Sequence, residues 1–226
     1  MSTESAFLAL RLKGPLQSWG FDSQYNRRNT GLMPTKSAIG GMCCAALGFP
    51  RGSDDEQAFL VLFTKLKMTA IAIPCGVDGK RYLVRRMQDY HTVQNTRKAK
   101  GGGSKDCHIT HRQYLTDASF GILLEGDGTL LNKIADALVD PVWGLWLGRK
   151  TCIPSAPLFV GLEKSREDAL RLLVGDQLLS SFTYQIEVEE FAEGRDSLPD
   201  NPVSFDSDRR RFFPRRVRTE QGSSST

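Results

Sequence analysis

The sequence lacks long apolar runs and is poor in the residues that build disulfide frameworks or metal centres. No hydrophobic stretch approaches the roughly 20 residues that a membrane-spanning helix requires, and the N-terminus has no secretory pattern. Only three histidines and five cysteines occur among 226 residues. The odd cysteine count, with Cys43 and Cys44 adjacent, does not suit a disulfide framework. We therefore expect a cytoplasmic protein with reduced thiols and no membrane association.

The positive charge of the chain is concentrated in three segments. The net charge is only +4, yet residues 80–112 contain nine Lys or Arg against two Asp. Residues 207–218 contain six Arg against one Asp, and residues 11–36 contain five Lys or Arg against one Asp. Charge gathered in separate segments indicates a polyanionic partner better than the net value does.

Hydrophobic periodicity predicts a mixed α+β chain in the order strand, helix, strand, strand, helix, strand. This order matches a split βαβ, ferredoxin-like core with a long insertion in its central hairpin. The same type of sheet serves as an RNA-recognition (RRM-like) platform. We expect strands at 6–13, 67–73, 81–87, 113–125 and 182–188, and helices at 34–48, 53–63, 129–139 and 165–173, with 88–112 polar and mobile without a ligand and 221–226 disordered.

The segment that follows the first strand favours anion binding. A helix begins near Lys36 and Ser37, and helix N-termini attract anions through unpaired N–H groups. A lysine at this position is electrostatically unfavourable unless an anion is present. Trp19, in the preceding turn, either stacks on a base or packs in the core. An isolated tryptophan is more often a core residue. The sequence thus predicts a nucleic-acid-binding site formed by the turn and the helix N-terminus.

Short motifs follow one another along most of the chain. They are LRL at 10–12 with GPLQSWG at 14–20, PTKS at 34–37 with LG at 47–48, DYHTV at 89–93, RQYLTDASF at 112–120, LGRKTC at 147–152 and PLF at 157–159. In this order they resemble the CasD family, the type I-E Cascade subunit of CRISPR interference complexes, within the RAMP superfamily.

The resemblance implies a single α+β RAMP domain over residues 1–220. Its ferredoxin-like core would carry a long basic β-hairpin thumb at about 81–116, and a basic C-terminal segment lies at 208–218. Such proteins cap the 5′ handle of the guide RNA (crRNA) beside the backbone-forming and large subunits. They thereby contribute to RNA-guided binding of target DNA in antiviral defence. We expect a binding subunit with no catalytic residues, metal or cofactor.

The expected RNA contacts combine both lines of reasoning. They are Gln17, Ser18, Trp19, Arg27, Lys36, Ser37, Arg85, Arg86, Tyr90, His91, Thr92, Arg97, Lys98, Arg112, Arg149 and Lys150.

Two other functions remain open. A metal-independent endoribonuclease of the type I-C kind would process guide-RNA precursors, and those relatives use a tyrosine with an adjacent Lys-His pair. Here His91 follows Tyr90 and His108 follows Cys107, so the pair is missing.

A zinc site built on Cys107, His108 and His111 lacks a second ligand pair at the usual spacing. A free-standing RNA-binding protein would need exposed aromatic residues on a central strand, where this chain has aliphatic ones.

The Arg-rich end of the chain has two interpretations. Residues 208–218 follow Pro199 and Pro202, and Phe212 and Phe213 supply apolar anchors. We predict a docking element for RNA or a neighbouring subunit; the alternative is a final strand of the protein's own sheet.

Overall fold

A computed structural model of the chain describes residues 4–20, 26–77, 80–82, 84–97, 101 and 103–222. Lys98, residues 78–79 between the expected strands at 67–73 and 81–87, and residues 223–226 of the expected tail lie outside the described residues. None of the described helices is long and apolar enough to cross a membrane.

The described chain forms thirteen strands and four α-helices. The strands are β1 (Ser5–Lys13), β2 (Leu16–Gln17), β3 (Arg27–Arg28), β4 (Lys67–Ile73), β5 (Cys75–Val77), β6 (Lys80–Tyr82), β7 (Arg85–Arg97), β8 (Ser104–Thr116), β9 (Ser119–Asp127), β10 (Phe159–Glu163), β11 (Thr183–Glu187), β12 (Asp196–Ser204) and β13 (Arg211–Glu220). The helices are α1 (Lys36–Leu47), α2 (Asp54–Phe63), α3 (Gly128–Val139) and α4 (Arg166–Val174).

A seven-stranded antiparallel sheet organises the fold, with strand order β10-β1-β9-β4-β11-β13-β12. Helices α1 and α3 pack on one face, where Leu8, Leu10 and Leu12 of β1 point into the main core. Helix α4 packs on the other face, where Ala9 meets a smaller cluster that includes Leu173. Strand β1 is therefore buried on both faces, as its nearly continuous apolar sequence predicts.

A long hairpin is inserted between two central strands of this sheet. Strands β7 and β8 each have 13 residues and pair along their length. The other edge of β8 pairs with β2 and, in parallel, with β3. The single strand expected at 113–125 is wrong. The polar stretch expected at 88–112 contributes to the paired strands β7 and β8, and residues 98–100 and 102 lie outside the described residues. Its mobility without a ligand stays a prediction. The polar residues alternate along paired strands, and the chain turns at Asp117, where φ is 51°, so β8 and β9 are separate strands.

The C-terminal segment belongs to the main sheet. Strand β13 lies between β11 and β12, and Arg215 within it is buried. The prediction that this segment lies outside the core is wrong from Arg211 onward, because the backbone there pairs with β12, Val217 and Arg218 also pair with β11, and Arg215 closes a buried ion pair with Asp200. Docking by the exposed arginines of the segment stays a prediction. The alternative of a final strand is confirmed. Strand β12 forms the edge and tolerates Pro199 and Pro202 there, since an edge strand needs fewer N–H donors.

Candidate nucleic-acid interface

One face of the long hairpin is exposed and polar along β7. The side chains of β7 alternate between two faces, because successive residues of a strand point in opposite directions. We call the exposed side the outer face; its β7 residues, all exposed, are Arg86, Gln88, Tyr90, Thr92 and Gln94. Their partners on β8 are Leu115, Gln113, His111, Ile109 and Cys107.

Three side chains form a row across the outer face. His111 of β8 is the ladder partner of Tyr90 on one side and of Arg27 on the other. Ladder partners project to the same face of a sheet. The Tyr90 and His111 rings meet edge to face with centroids 5.3 Å apart, and Gln88 Nε2 lies 3.5 Å from His111 Nδ1. Strand β3 is fixed beside them, since the His111 amide donates to the Asn26 carbonyl at 2.8 Å.

The row presents a cation, two aromatic rings and an amide on one open surface. Tyr90 is 60% exposed, so its ring is accessible to a stacked base. Arg27 is also exposed and supplies a guanidinium suited to phosphate. Such a combination fits single-stranded nucleic acid, which is bound by backbone charge and base stacking.

The opposite face of the hairpin holds other predicted residues. His91 and Arg112 project to this inner face, as does Arg85. Arg85 Nη2 donates to Asp117 at 2.5 Å, and Arg112 Nε donates to the Thr110 hydroxyl at 3.1 Å. The register therefore separates these three from Arg86, Tyr90 and Thr92, so the expected contacts on the hairpin do not form one surface. Arg97 is exposed at the end of β7.

Arg149 supports the sheet that carries the row. Its guanidinium donates to the backbone carbonyls of Arg28 at 2.7 Å and Gln113 at 3.0 Å. It also lies over the Tyr114 ring, 4.6 Å from the centroid. These contacts give Arg149 a structural role, and its RNA contact stays a prediction. Lys150 beside it is exposed.

The predicted turn at Gln17, Ser18 and Trp19 is a structural element. All three residues are buried, with Trp19 fully so. Gln17 Nε2 donates to the carbonyls of Leu12 at 3.1 Å and Ala118 at 2.7 Å. Their burial gives these three residues a structural role, and their expected RNA contacts stay a prediction.

The turn and the later LGRKTC motif dock on each other. The Ser18 amide donates to the Leu147 carbonyl at 3.0 Å. Gly148 has φ of 98°, and a Cβ there would lie only 1.8 Å from the Ser18 carbonyl oxygen. Only glycine permits this approach, which explains why the two motifs occur together.

Lys36 and Ser37, the predicted phosphate site, also make their contacts within the protein. Lys36 is fully buried, and its Nζ donates to the Glu187 carboxylate at 2.9 Å and to the carbonyls of Thr64 and Leu66. Burial lowers the pKa of Lys36, while the Glu187 carboxylate acts in the opposite direction. The helix N-terminus is occupied from within the chain, because the Lys36 amide donates to Asp200 Oδ2 at 2.8 Å. The expected anion is thus a carboxylate of the protein.

Ser37 is half-buried, and its RNA contact stays a prediction. Its hydroxyl lies 3.3 Å from Thr35 Oγ1, and Thr35 caps the helix by accepting from the Ala38 amide.

The histidines do not converge. Consecutive register positions place Cys107 and His111 on the outer face and His91 and His108 on the inner face. No group of three or more possible metal ligands is found among the residues that the structure describes.

Sequence reasoning missed His111 and Gln88 as parts of the interface. The signal in the sequence is the polar residue at every second position, Arg86, Gln88, Tyr90, Thr92 and Gln94, but using it requires the register between the two strands. The position of β3 beside His111 has no sequence signal, since two residues are too few to predict a strand.

The chain is similar to CRISPR-associated proteins over most of its length. A sequence profile described as "CRISPR-associated protein (Cas_Cas5)" matches residues 7–218. The curated protein "CRISPR system Cascade subunit CasD" of Escherichia coli (strain K12) is 32% identical over 172 residues, covering 74% of this chain and 76% of that protein.

Two solved structures are similar in fold and sequence. A chain of a "CRISPR RNA-guided surveillance complex" has a TM-score of 0.74 at 29% identity, covering 94% of this chain and 88% of that one. A "Crystal structure of Cas protein" has a TM-score of 0.65 at 30% identity, with coverages of 95% and 93%.

Proposed function

This chain belongs to the Cas5 family of CRISPR-associated proteins, which includes CasD, and on that premise we propose that it is a guide-RNA-binding subunit of a Cascade-type complex. It holds the 5′ handle of the guide RNA and contacts the neighbouring backbone-forming and large subunits. Target DNA meets it as part of the assembled complex, in the cytoplasm. The subunit binds without cutting.

The row of Arg27, His111 and Tyr90 is the observation that carries this proposal. A looped, single-stranded handle offers phosphates and unpaired bases, and the row offers a guanidinium and an exposed ring at neighbouring ladder positions. We assign the hairpin of β7 and β8 as the thumb. We assign β1, α1, β4, β9, α3 and β10 as the ferredoxin-like core, because they follow the βαββαβ order along the chain.

We propose a non-catalytic subunit because its histidines do not lie together. A histidine general base needs a second group placed to stabilise the developing charge. His91 and His111 project to opposite faces of the hairpin, so they cannot act on one phosphodiester together.

Isolating the tagged chain from cells that express its neighbouring genes tests the proposal. We expect several different subunits and one class of short RNA with a constant 5′ end to co-purify. Recovery of the chain alone, or with RNAs of unrelated 5′ ends, would contradict it. In a second assay, purified chain is incubated with repeat RNA, with and without divalent metal. Specific cleavage that is lost in His91→Ala or His111→Ala would make the chain a ribonuclease.

A further inference from the structure

Four arginines gather at the end of the sheet opposite the hairpin. The hairpin arises after Ile73 at one end of β4, and strand register places Glu187 and Val217 near the other end of β4. Strand β13 begins six residues before Val217, at Arg211, and so extends beyond that end. We call Arg51, in the turn before α2, together with Arg209, Arg210 and Arg211 the arginine patch.

The turn of Arg51 and the loop before β13 are in contact. A Cβ on Gly52 would lie 2.3 Å from the Asp206 carboxylate. The pKa of Arg210 is lowered, first by partial burial and then by repulsion from Arg51. Two cations thus face each other on the protein surface.

The arginine patch is not neutralised by ion pairs within the chain. All four residues are exposed, and none forms an ion pair with another residue that the structure describes. A cluster of like charges that forms no ion pairs of its own is stabilised when a polyanion binds.

The carboxylates nearby serve the backbone. Asp206 Oδ1 accepts from the amides of Asp208 at 2.8 Å and Arg209 at 2.9 Å, and these bonds lower its pKa. Asp54 and Asp55 occupy the first turn of α2, where the helix dipole favours negative charge.

Two of the arginines are stacked on aromatic rings. The guanidinium of Arg210 lies 5.2 Å from the Phe212 centroid, and that of Arg211 lies 5.2 Å from the Phe213 centroid. Stacking orients a guanidinium while its N–H edges remain available to phosphate. Phe213 is 52% exposed, whereas Arg215 and Val217 further along the same strand are buried.

We propose that the arginine patch binds the phosphodiester backbone of a single-stranded nucleic acid, with Phe213 as a platform for an unpaired base. A single strand is favoured over a duplex because its bases are free to stack. This site is separate from the hairpin and is additional to the proposed binding of the guide-RNA 5′ handle. The strand is either guide RNA or target DNA, since both carry phosphodiester groups and unpaired bases.

The test compares full-length variants by fluorescence anisotropy with labelled 20-nucleotide RNA, DNA and duplex DNA over a series of salt concentrations. The variant is Arg209→Gln/Arg210→Gln/Arg211→Gln. The control, Lys164→Gln/Arg171→Gln/Arg195→Gln, removes the same charge from exposed positions elsewhere. Three lost contacts should reduce the slope of log affinity against log salt by about 2 for single strands. The control should leave the slope nearly unchanged, and both variants should melt as the parent does.

A second variant tests the platform. Phe213→Ser should weaken single-strand binding roughly fivefold to a hundredfold, corresponding to about 1–3 kcal/mol for one stacked base, and leave duplex binding unchanged. A larger loss with RNA than with DNA identifies the guide as the bound strand, and the reverse identifies the target.

Three outcomes would overturn the proposal. One is a salt slope that changes equally in the triple variant and its control. Another is a Phe213→Ser variant that binds single strands as the parent does. The third is normal nucleic-acid binding with failed incorporation into the complex, which would assign the arginine patch to an acidic protein surface. None of these outcomes depends on the hairpin, whose variants test the proposed function separately.

Discussion

The ammonium nitrogen of Lys36 lies 2.9 Å from both carboxylate oxygens of Glu187. Glu187 also lies 3.6 Å from Arg215 Nη1, and Arg215 makes a two-pronged ion pair with Asp200. Four charged residues from α1, β11, β12 and β13 thus form one network at the end of the sheet. It fixes the first helix to the C-terminal strands.

Replacing Lys36 with alanine should destabilise the fold by about 3–5 kcal/mol, because the partly buried Glu187 carboxylate loses its nearest partner and a fully buried side chain is removed. Urea unfolding measures the change. Ser37→Ala, one residue further along α1, is the control and should cost less than about 1 kcal/mol. A stable Lys36→Ala protein with weakened RNA binding would restore the phosphate-site interpretation.

Removing Arg215 should be equally costly, since Asp200 is almost fully buried beside it. We expect Arg215→Ala to lose about 3–5 kcal/mol of unfolding free energy, whereas Arg211→Ala, on the exposed part of the same strand, should stay within about 0.5 kcal/mol. A chain truncated after Asn201 should lose cooperative thermal unfolding. Normal folding of the truncated chain would mean that β13 is dispensable to the core.

Arg27 and Arg28 provide a matched pair for the RNA interface. Arg27 aligns with His111 on the outer face, and Arg28 aligns with Arg112 on the inner face. Arg27→Ala should lower the salt slope of guide-RNA binding by about 0.7, as expected for one phosphate contact on a single strand. Arg28→Ala removes the same charge and should change the slope less. Equal effects would show that only net charge matters.

Tyr90 should contribute through its ring. Tyr90→Ala should weaken guide-RNA binding by about 1–3 kcal/mol, while Tyr90→Phe should retain most of the affinity because stacking needs only the ring. Thermal melting should be unchanged in both, since the side chain is exposed. If phenylalanine fails to rescue binding, stacking is not the role of this residue.

Arg149 and Lys150 are adjacent but should behave differently. Arg149→Ala leaves two carbonyls without their donor and should cost about 1–3 kcal/mol of stability. Hydrogen exchange should then accelerate in β8 around Gln113. Lys150→Ala should leave stability unchanged, because its side chain is exposed. A larger loss of stability in Lys150→Ala than in Arg149→Ala would contradict the structural role of Arg149.

The thiols offer a footprint of the bound RNA. Cys107 is exposed on the outer face, whereas Cys44 is buried and its pKa is raised to about 12, chiefly by burial. Alkylation at neutral pH should therefore modify Cys107 quickly and Cys44 only on unfolding. Guide RNA should protect Cys107. Unchanged labelling in the RNA complex would place the RNA on another surface.

The local pattern of the sequence was enough for much of the fold. The apolar run of β1, the helices that begin after Thr35 and Ser53, and the strand at Lys67–Ile73 follow from periodicity and capping, which depend on near neighbours. The motifs were enough for the family, and three basic segments were enough to indicate a polyanionic partner.

Tertiary structure decided which charged residues face solvent. Lys36 and Arg215 have the same sequence character as Arg27 and Arg86, yet the first two are buried because Glu187 and Asp200, far away in the chain, compensate their charge. The outer face likewise required the register between β7 and β8. Residue type and local pattern determined the elements and the kind of partner. Only long-range pairing, which nearest neighbours do not encode, separated the residues that hold the fold from those that are free to bind.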